Sequence, residues 1–206
     1  MNLKWAIAKA MKKLLNPPAL NHCKIDKTAR ICPGCELTEV TVGRYSYMGS
    51  WCFSVNAEIG SFCSIADNCR IGGAAHELSY VSTSPVFTRG KNILKKNFAQ
   101  LEHQKAPRTV IGHDVWLGAG CQIKSGVTVH TGAVIGMGSI VTHDVPPYEI
   151  WAGNPARKIR DRFDDDTAER LLSSKWWEMG DAELSSVAGE FGEPEAFLAA
   201  EKGKKR

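Results

Sequence analysis

Six histidines, seven cysteines and the basic run Arg157, Lys158 and Arg160 are the residues of this 206-residue chain whose types and spacing could do chemistry. A neutral imidazole can take a proton from a hydroxyl near neutral pH, so each histidine is a candidate base. The histidines stand at 22, 76, 103, 113, 130 and 143, and the gaps of 54, 27, 10, 17 and 13 contain neither a local HxxxxH pair nor an 18-residue spacing. Zinc catalysis, which would need three converging histidines, is disfavoured on that count, and no metal is expected. His76 differs from the rest because Tyr80, Pro85 and Phe87 accompany it at the start of a long break in the periodicity of the chain. Arg157, Lys158 and Arg160 would offer positive charge to an acidic ligand, the guanidinium as a fork and the ammonium as a point charge. The plainer alternative is a solvated charge run ahead of Asp164 to Asp166. The segment Cys32-Pro33-Gly34-Cys35 has redox or zinc spacing but no second pair, and reads as packing plus a corner.

The elements that must hold these residues are set by a period of six. Ile111, Leu117, Ile123, Val129, Ile135 and Val141 recur at that interval, with Val115, Cys121, Val127, Ala133 and Ser139 small or β-branched at the fifth position. Glycine often fills the second, at Gly112, Gly118 and Gly136, as suits a tight corner with little room for a Cβ. Such a hexapeptide is the signature of a β-helix solenoid in which three repeats close one coil, so residues 18 apart stack with strands roughly 4.8 Å apart. The phase begins at Ile25, Ile31 and Leu37, slips by one residue to Val42 and Met48, and slips again to Phe53, Ile59, Ile65 and Ile71. Cys35, Cys63, Cys69 and Cys121 occupy the fifth position, so they read as small core residues, which favours a reducing compartment. Between Ile71 and Ile111 the repeat is suspended for 40 residues where one repeat would use six, and a loop of that length points to function. A helical turn within residues 91–103 is the one regular element expected there.

Residues 1–20 form an N-terminal unit, in which Leu3, Ile7, Met11 and Leu14 fall on one helical face and Lys9, Lys12 and Lys13 away from it, before Asn16-Pro17-Pro18 stops the helix. That helix is expected either to cap the open end of the solenoid or to touch an acidic membrane surface. Residues 21–160 form the solenoid with its extruded loop 72–110, and residues 161–206 a helical extension. In that extension Asp166 and Glu169 are spaced as a capping box, residues 181–190 read as a further helix, and Lys202 to Arg206 as a solvated tail. The charge of +4, from 26 basic and 22 acidic residues, is too mild to imply nucleic acid. No stretch reaches the roughly 18 apolar residues of a membrane span.

With both positions of the repeat filled, the chain resembles the hexapeptide-repeat acyltransferases, whose fold is a left-handed parallel β-helix. The hand follows from the resemblance, since the general crossover rule favours the other. Residues Gly72 to Phe87, Ile111-Gly112-His113-Asp114-Val115-Trp116-Leu117-Gly118 and Gly153-Asn154-Pro155-Ala156-Arg157 are similar to the xenobiotic acetyltransferase branch, which includes hexapeptide-type chloramphenicol acetyltransferases and sugar acetyltransferases. The resemblance implies an acetyl-CoA-dependent enzyme in which His76 is the general base for direct attack by a hydroxyl, without an acyl-enzyme. It implies a cytoplasmic homotrimer with active sites between subunits. Ala119 and Met137 lie 18 apart and each follows a glycine, so they share a groove, and the resemblance assigns Ala119, Met137, Thr142 and His143 to the pantetheine arm. Arg157 and Arg160, with Lys158 beside them, match the phosphate contacts, while Tyr80 and Phe87, joined by Tyr45 and Tyr47 of a neighbouring subunit, are expected at the acceptor. A saccharide hydroxyl is the first expectation for that acceptor, with work near the inner membrane surface. Chloramphenicol or another xenobiotic is second and an amino-sugar amine third. A non-catalytic β-helical scaffold is the rival from another class.

Overall fold

Aliphatic side chains six apart enter the interior once per face of a three-sided prism. The structure, a computed structural model that describes residues 2–204, folds them as a parallel β-helix. Trp116–Leu117 pairs in parallel with Ser64–Ile65 on one side and Val134–Ile135 on the other. On the next face Gln122–Ile123 lies between Arg70–Ile71 and Ile140–Val141, and on the third Thr128–Val129 pairs with Val110–Ile111. The expected 18-residue stacks are therefore present, and Ile111, Leu117, Ile123, Val129, Ile135 and Val141 are at most 2% exposed. Each such side chain contributes on the order of 1.5–3 kcal/mol relative to leaving it in water.

The first half is wound more tightly. Leu37 stands opposite Ser54 and Val42 opposite Ile59, so one coil takes 17 residues. The strands Glu36–Val42 and Phe53–Ile59 bend through left-handed corners at Glu39 (φ 56°) and Asn56 (φ 50°), which absorb the missing residue. This corrects the expected stack at Phe53. Cys52 and Ser54 both point inward by strand alternation, and Phe53 faces out, 5.7 Å from the Arg70 guanidinium. The second slip falls between Ser54 and Ile59, after the strand has begun rather than before it.

Glycine at the second position stands where there is little room for a Cβ, as expected, but it does not itself make the turn. Gly118 has no positive φ; a Cβ there would stand 2.5 Å from the backbone nitrogen of Met137, so the glycine lets one coil approach the next. The turn itself is made two residues on, at Gly120 (φ 72°) and its equivalents.

Each edge of the prism carries one appendage. The first, here the thiol edge, collects Cys35, Cys52, Cys69 and Cys121, and each Sγ donates to a corner carbonyl of the following coil: Gly49, Ala66, Gly118 and Gly136. That is why a small residue with a weak donor recurs at the fifth position. All seven cysteines are unpaired. Helix α1 (Leu3–Leu15) lies along this edge beside Cys32, Pro33 and Ser50, with no residue buried. It runs beside two successive corners instead of capping the open end, and the coil itself begins at Ala19–Asn21, two residues earlier than expected.

The second, the loop edge, releases the chain after Gly72 and takes it back at Thr109, which pairs with Ala57. The loop carries a 3-10 turn at Pro85–Phe87 and no helix over 91–103, because Asn92 and Asn97 spend their side-chain amides on the carbonyls of Pro85, Lys96, Thr88 and Gly90.

The third, the cap edge, holds the C-terminal elements α2 (Asp165–Ser174), α3 (Asp181–Val187) and α4 (Pro194–Lys204). The N-cap of α2 is Asp164, which accepts from Thr167 N at 2.9 Å, so the capping residue stands two positions before the expected Asp166, which pairs with Arg170 instead. α4 continues through Lys204 where a solvated tail was expected, and residues 205–206 lie outside the described residues. Trp176 and Trp177 seal the cap to the prism, Trp177 stacking on His113 with centroids 5.1 Å apart. The strand Glu149–Gly153 adds to the last coil, and Ala156–Asp161 returns antiparallel after the cis Asn154–Pro155 peptide. No helix among the described residues is long and apolar enough to cross a membrane.

Candidate active site

His76 follows Gly73 (φ 136°), where the backbone leaves the coil in a conformation that side chains rarely allow. The imidazole is exposed, and its Nδ1 stands 2.8 Å from the Thr83 carbonyl oxygen. A carbonyl can only accept, so Nδ1–H donates, and in the neutral ring the lone pair is then on Nε2. The ring lines a cavity of about 190 Å³, to whose wall Glu77, Ser82, Thr88, Arg89 and Asn92 bring hydroxyl, amide and charged groups beside the apolar Ala74, Ala75 and Pro85. Glu77 Oε1 accepts from Gln104 N at 2.9 Å and lies 4.0 Å from His103 Nδ1, tying the outgoing and returning arms of the loop together.

The loop is fastened along its edge by its returning arm. Asn56 Nδ2 donates to Ala106 O at 2.9 Å, Arg108 Nη2 to Ala57 O at 3.0 Å, and Lys105 pairs with Glu39 at 2.8 Å. Two of the four expected acceptor aromatics belong to this framework. The Tyr80 hydroxyl donates to Glu102 O at 3.0 Å, and Phe87 packs on Phe98 with centroids 6.0 Å apart. Tyr45 lies on the cap edge, where its hydroxyl donates to Asp181 at 2.8 Å, and Tyr47 projects outward from the face that also carries Trp116.

The residues expected at the donor divide among the edges. Ala119 and Met137 occupy successive corners of the thiol edge, both exposed. Their backbone N–H groups stay outside the corner hydrogen bonds, since Gly118 N binds Ile135 O, Gly120 N binds Asp67 O and Gly138 N binds Ala119 O. The result is a rising line of free donors. Arg157 continues that line, because it pairs with Ala152, whose Cβ lies 3.0 Å from the Cβ position at Gly136. Arg160 lines a groove with Trp116, Val134 and Ile150 on the adjoining face. Lys158 is engaged by Glu149 and Asp161 at 2.8 Å each, and these carboxylates hold its ammonium above its usual pKa. Thr142 and His143, 2.9 Å apart, sit on the loop edge two corners beyond the loop.

One chain therefore assembles His76, Tyr80, Phe87, Thr142 and His143 along one edge and Ala119, Met137 and Arg157 along another. Sequence reasoning missed Thr83, Glu77 and Trp116. Thr83 acts through its carbonyl and leaves no side-chain signal, whereas Glu77 beside His76 and an exposed Trp116 in a solenoid strand were visible signs.

A family model described as bacterial transferase hexapeptide (six repeats) matches residues 108–143. A chloramphenicol acetyltransferase of Agrobacterium fabrum is 40% identical over 157 residues, 67% of this chain and 75% of the relative. A probable macrolide acetyltransferase of Lysinibacillus sphaericus is 38% identical over 130 residues, 61% of this chain and 71% of the relative. Among solved structures, the polySia-specific acetyltransferase NeuO superposes with a TM-score of 0.51 at 30% identity, covering 75% of this chain and 69% of that one.

Proposed function

The chain belongs to the bacterial hexapeptide-repeat acetyltransferases, and on that premise we propose that it transfers acetyl from acetyl-CoA to a saccharide hydroxyl, with His76 as general base, at sites shared between subunits of a homotrimer. The observation that carries the reading is the 2.8 Å bond from His76 Nδ1 to the Thr83 carbonyl, which makes Nε2 the lone-pair nitrogen of the neutral ring, on a residue that lines a cavity. The acceptor oxygen attacks the thioester carbonyl as its proton passes to Nε2. The tetrahedral oxyanion is met by a free backbone N–H of the thiol edge, Ala119 being our choice, in the manner of an oxyanion hole. When the C–S bond breaks, the imidazolium returns its proton to the departing CoA thiolate. No acyl-enzyme is required. The pantetheine arm lies along Ala119 and Met137, with Arg157 and Arg160 toward its phosphates.

Because His76 and Ala119 stand on different edges of one prism, the loop of one subunit must meet the thiol edge of the next. The hydroxyl, amide and charged groups around His76 support a polyol acceptor, as does the relative specific for polySia. The relatives named for chloramphenicol and macrolides favour a second reading, a hydroxyl of an antibiotic.

Thiol release from acetyl-CoA, followed across a panel of saccharides, amino sugars, chloramphenicol and a macrolide, tests both. Turnover with a saccharide hydroxyl, reduced about 10²-fold or more in His76→Ala with CoA affinity unchanged, is expected. Turnover of an antibiotic alone would replace the acceptor, equal rates in the variant would remove His76 as base, and failure to bind CoA would leave a scaffold.

A further inference from the structure

From the pose of α1 and the distribution of charge, we infer that this end of the molecule docks on an anionic phospholipid surface, with α1 lying in the bilayer interface. At 100° per residue, Leu3, Ile7, Met11 and Leu14 fall within an arc of about 80°. Their exposures are 74%, 51%, 54% and 79%, and Leu15 beside them is 68% exposed. The side of α1 turned to the prism is the other one. Trp5, Ala6, Lys9 and Lys13 line its groove with Cys32, Pro33 and Ser50, and Lys12 Nζ donates to Ser50 Oγ at 3.2 Å and stands 5.8 Å from the Trp51 ring. The helix is thus held by its polar side, with its apolar stripe turned outward along the whole length of α1.

Charge identifies the occupant. Seven of the 26 basic residues and one of the 22 acidic residues, Asp26, lie within the first 30 positions. That end therefore carries +6 while the remaining 176 residues sum to −2 against the +4 of the whole chain. Helix α1 itself holds four lysines and no acid, and Lys24, Lys27 and Arg30 of the first coil are exposed. An apolar stripe bordered by Lys4, on an end of the molecule with this excess of positive charge, is the arrangement that sinks into the acyl boundary while the local positive potential draws it to an anionic headgroup layer. A second copy of this chain would bring +6 against +6, which disfavours self-association through the same face.

Cosedimentation of the full chain with phosphatidylcholine vesicles, and with vesicles containing about 30% phosphatidylglycerol, tests this. The expected result is at least about tenfold more protein on the anionic vesicles, falling in high salt, and a loss of similar size in the double variant Ile7→Glu, Met11→Glu. Both positions are more than half exposed, so the variant keeps its thiol-release activity and its oligomeric size. Wild type that does not sediment with anionic vesicles overturns the inference, and so does equal binding by the variant. A wild-type assembly larger than that of the variant, without vesicle binding, would assign the stripe to a second copy and also overturn it.

Discussion

At Arg157 the guanidinium touches only its own neighbourhood, donating to Ala156 O at 2.8 Å, whereas Lys158 is spent on two carboxylates. The basic run that looks uniform in sequence therefore contains one cation on the line of Ala119 and Met137 and one tied into the hairpin. Arg157→Ala is expected to weaken CoA binding by roughly 10- to 100-fold, the worth of a charge-assisted hydrogen bond, with kcat little altered. Lys158→Ala should change CoA affinity far less, and calorimetric titration of the two variants decides between them. The same scale explains why the proton chemistry was half legible. His76 is marked by its place at the break in the repeat, but the group that fixes its tautomer is a main-chain carbonyl, and any residue at Thr83 would supply one. Tyr80 and Phe87 were legible as aromatic residues near His76, and the hydrogen bond and ring packing that make them struts come from chain segments about 22 and 11 residues away.

Among the elements, the C-terminal cap depends on an imidazole that must stay neutral. His113 Nδ1 accepts from Ser61 N at 3.0 Å while its ring lies 9° from parallel to that of Trp177. Burial lowers its pKa from the ordinary 6.5, against smaller opposing effects of Glu178 and Glu58. The native state thus binds fewer protons than the unfolded chain, so this contribution is fully present above pH 6.5 and is lost as the pH falls through the folded value. Thermal melts between pH 7.5 and 5 should show the cap loosening at the acid end, read as Trp176 and Trp177 fluorescence, and His113→Phe should flatten that dependence. An unchanged slope in the variant would assign the acid sensitivity to another group. The cap also shows the limit of helix signals in sequence. Capping residues were expected from Asp166 and Glu169, yet Asp164 holds the N-terminus because Thr167 offers it both an N–H and a hydroxyl.

For the whole molecule, the proposed division of one site between two edges has a consequence that mixing can read. If His76 of one subunit serves the thiol edge of the next, His76→Ala and Ala119→Trp are each inactive alone but complementary together. In randomly mixed trimers about a quarter of the interfaces would pair an intact His76 with an intact Ala119, so thiol release should recover to about a quarter of wild type. No recovery on mixing unfolded and refolded subunits would mean that each chain builds its own site. The outward stripe of α1 belongs to this scale too, since it becomes meaningful only relative to the prism that holds the other side of the helix.

The sequence by itself determined which residues of the regular second half face inward. A repeat of six states the same local choice many times, and an aliphatic side chain that fails to stack loses the transfer free energy of burial, so Ile111 through Val141 admitted one arrangement. It determined as well where the repeat must break and that His76 would stand there. The tertiary structure decided what each appendage touches: that α1 turns its lysines to the prism and its leucines away, that the cap consumes Tyr45, and that the second slip is taken at Asn56. These outcomes rest on single contacts between segments far apart in the chain, each made once and without a repeat to announce it, and they are settled by geometry that no local pattern encodes.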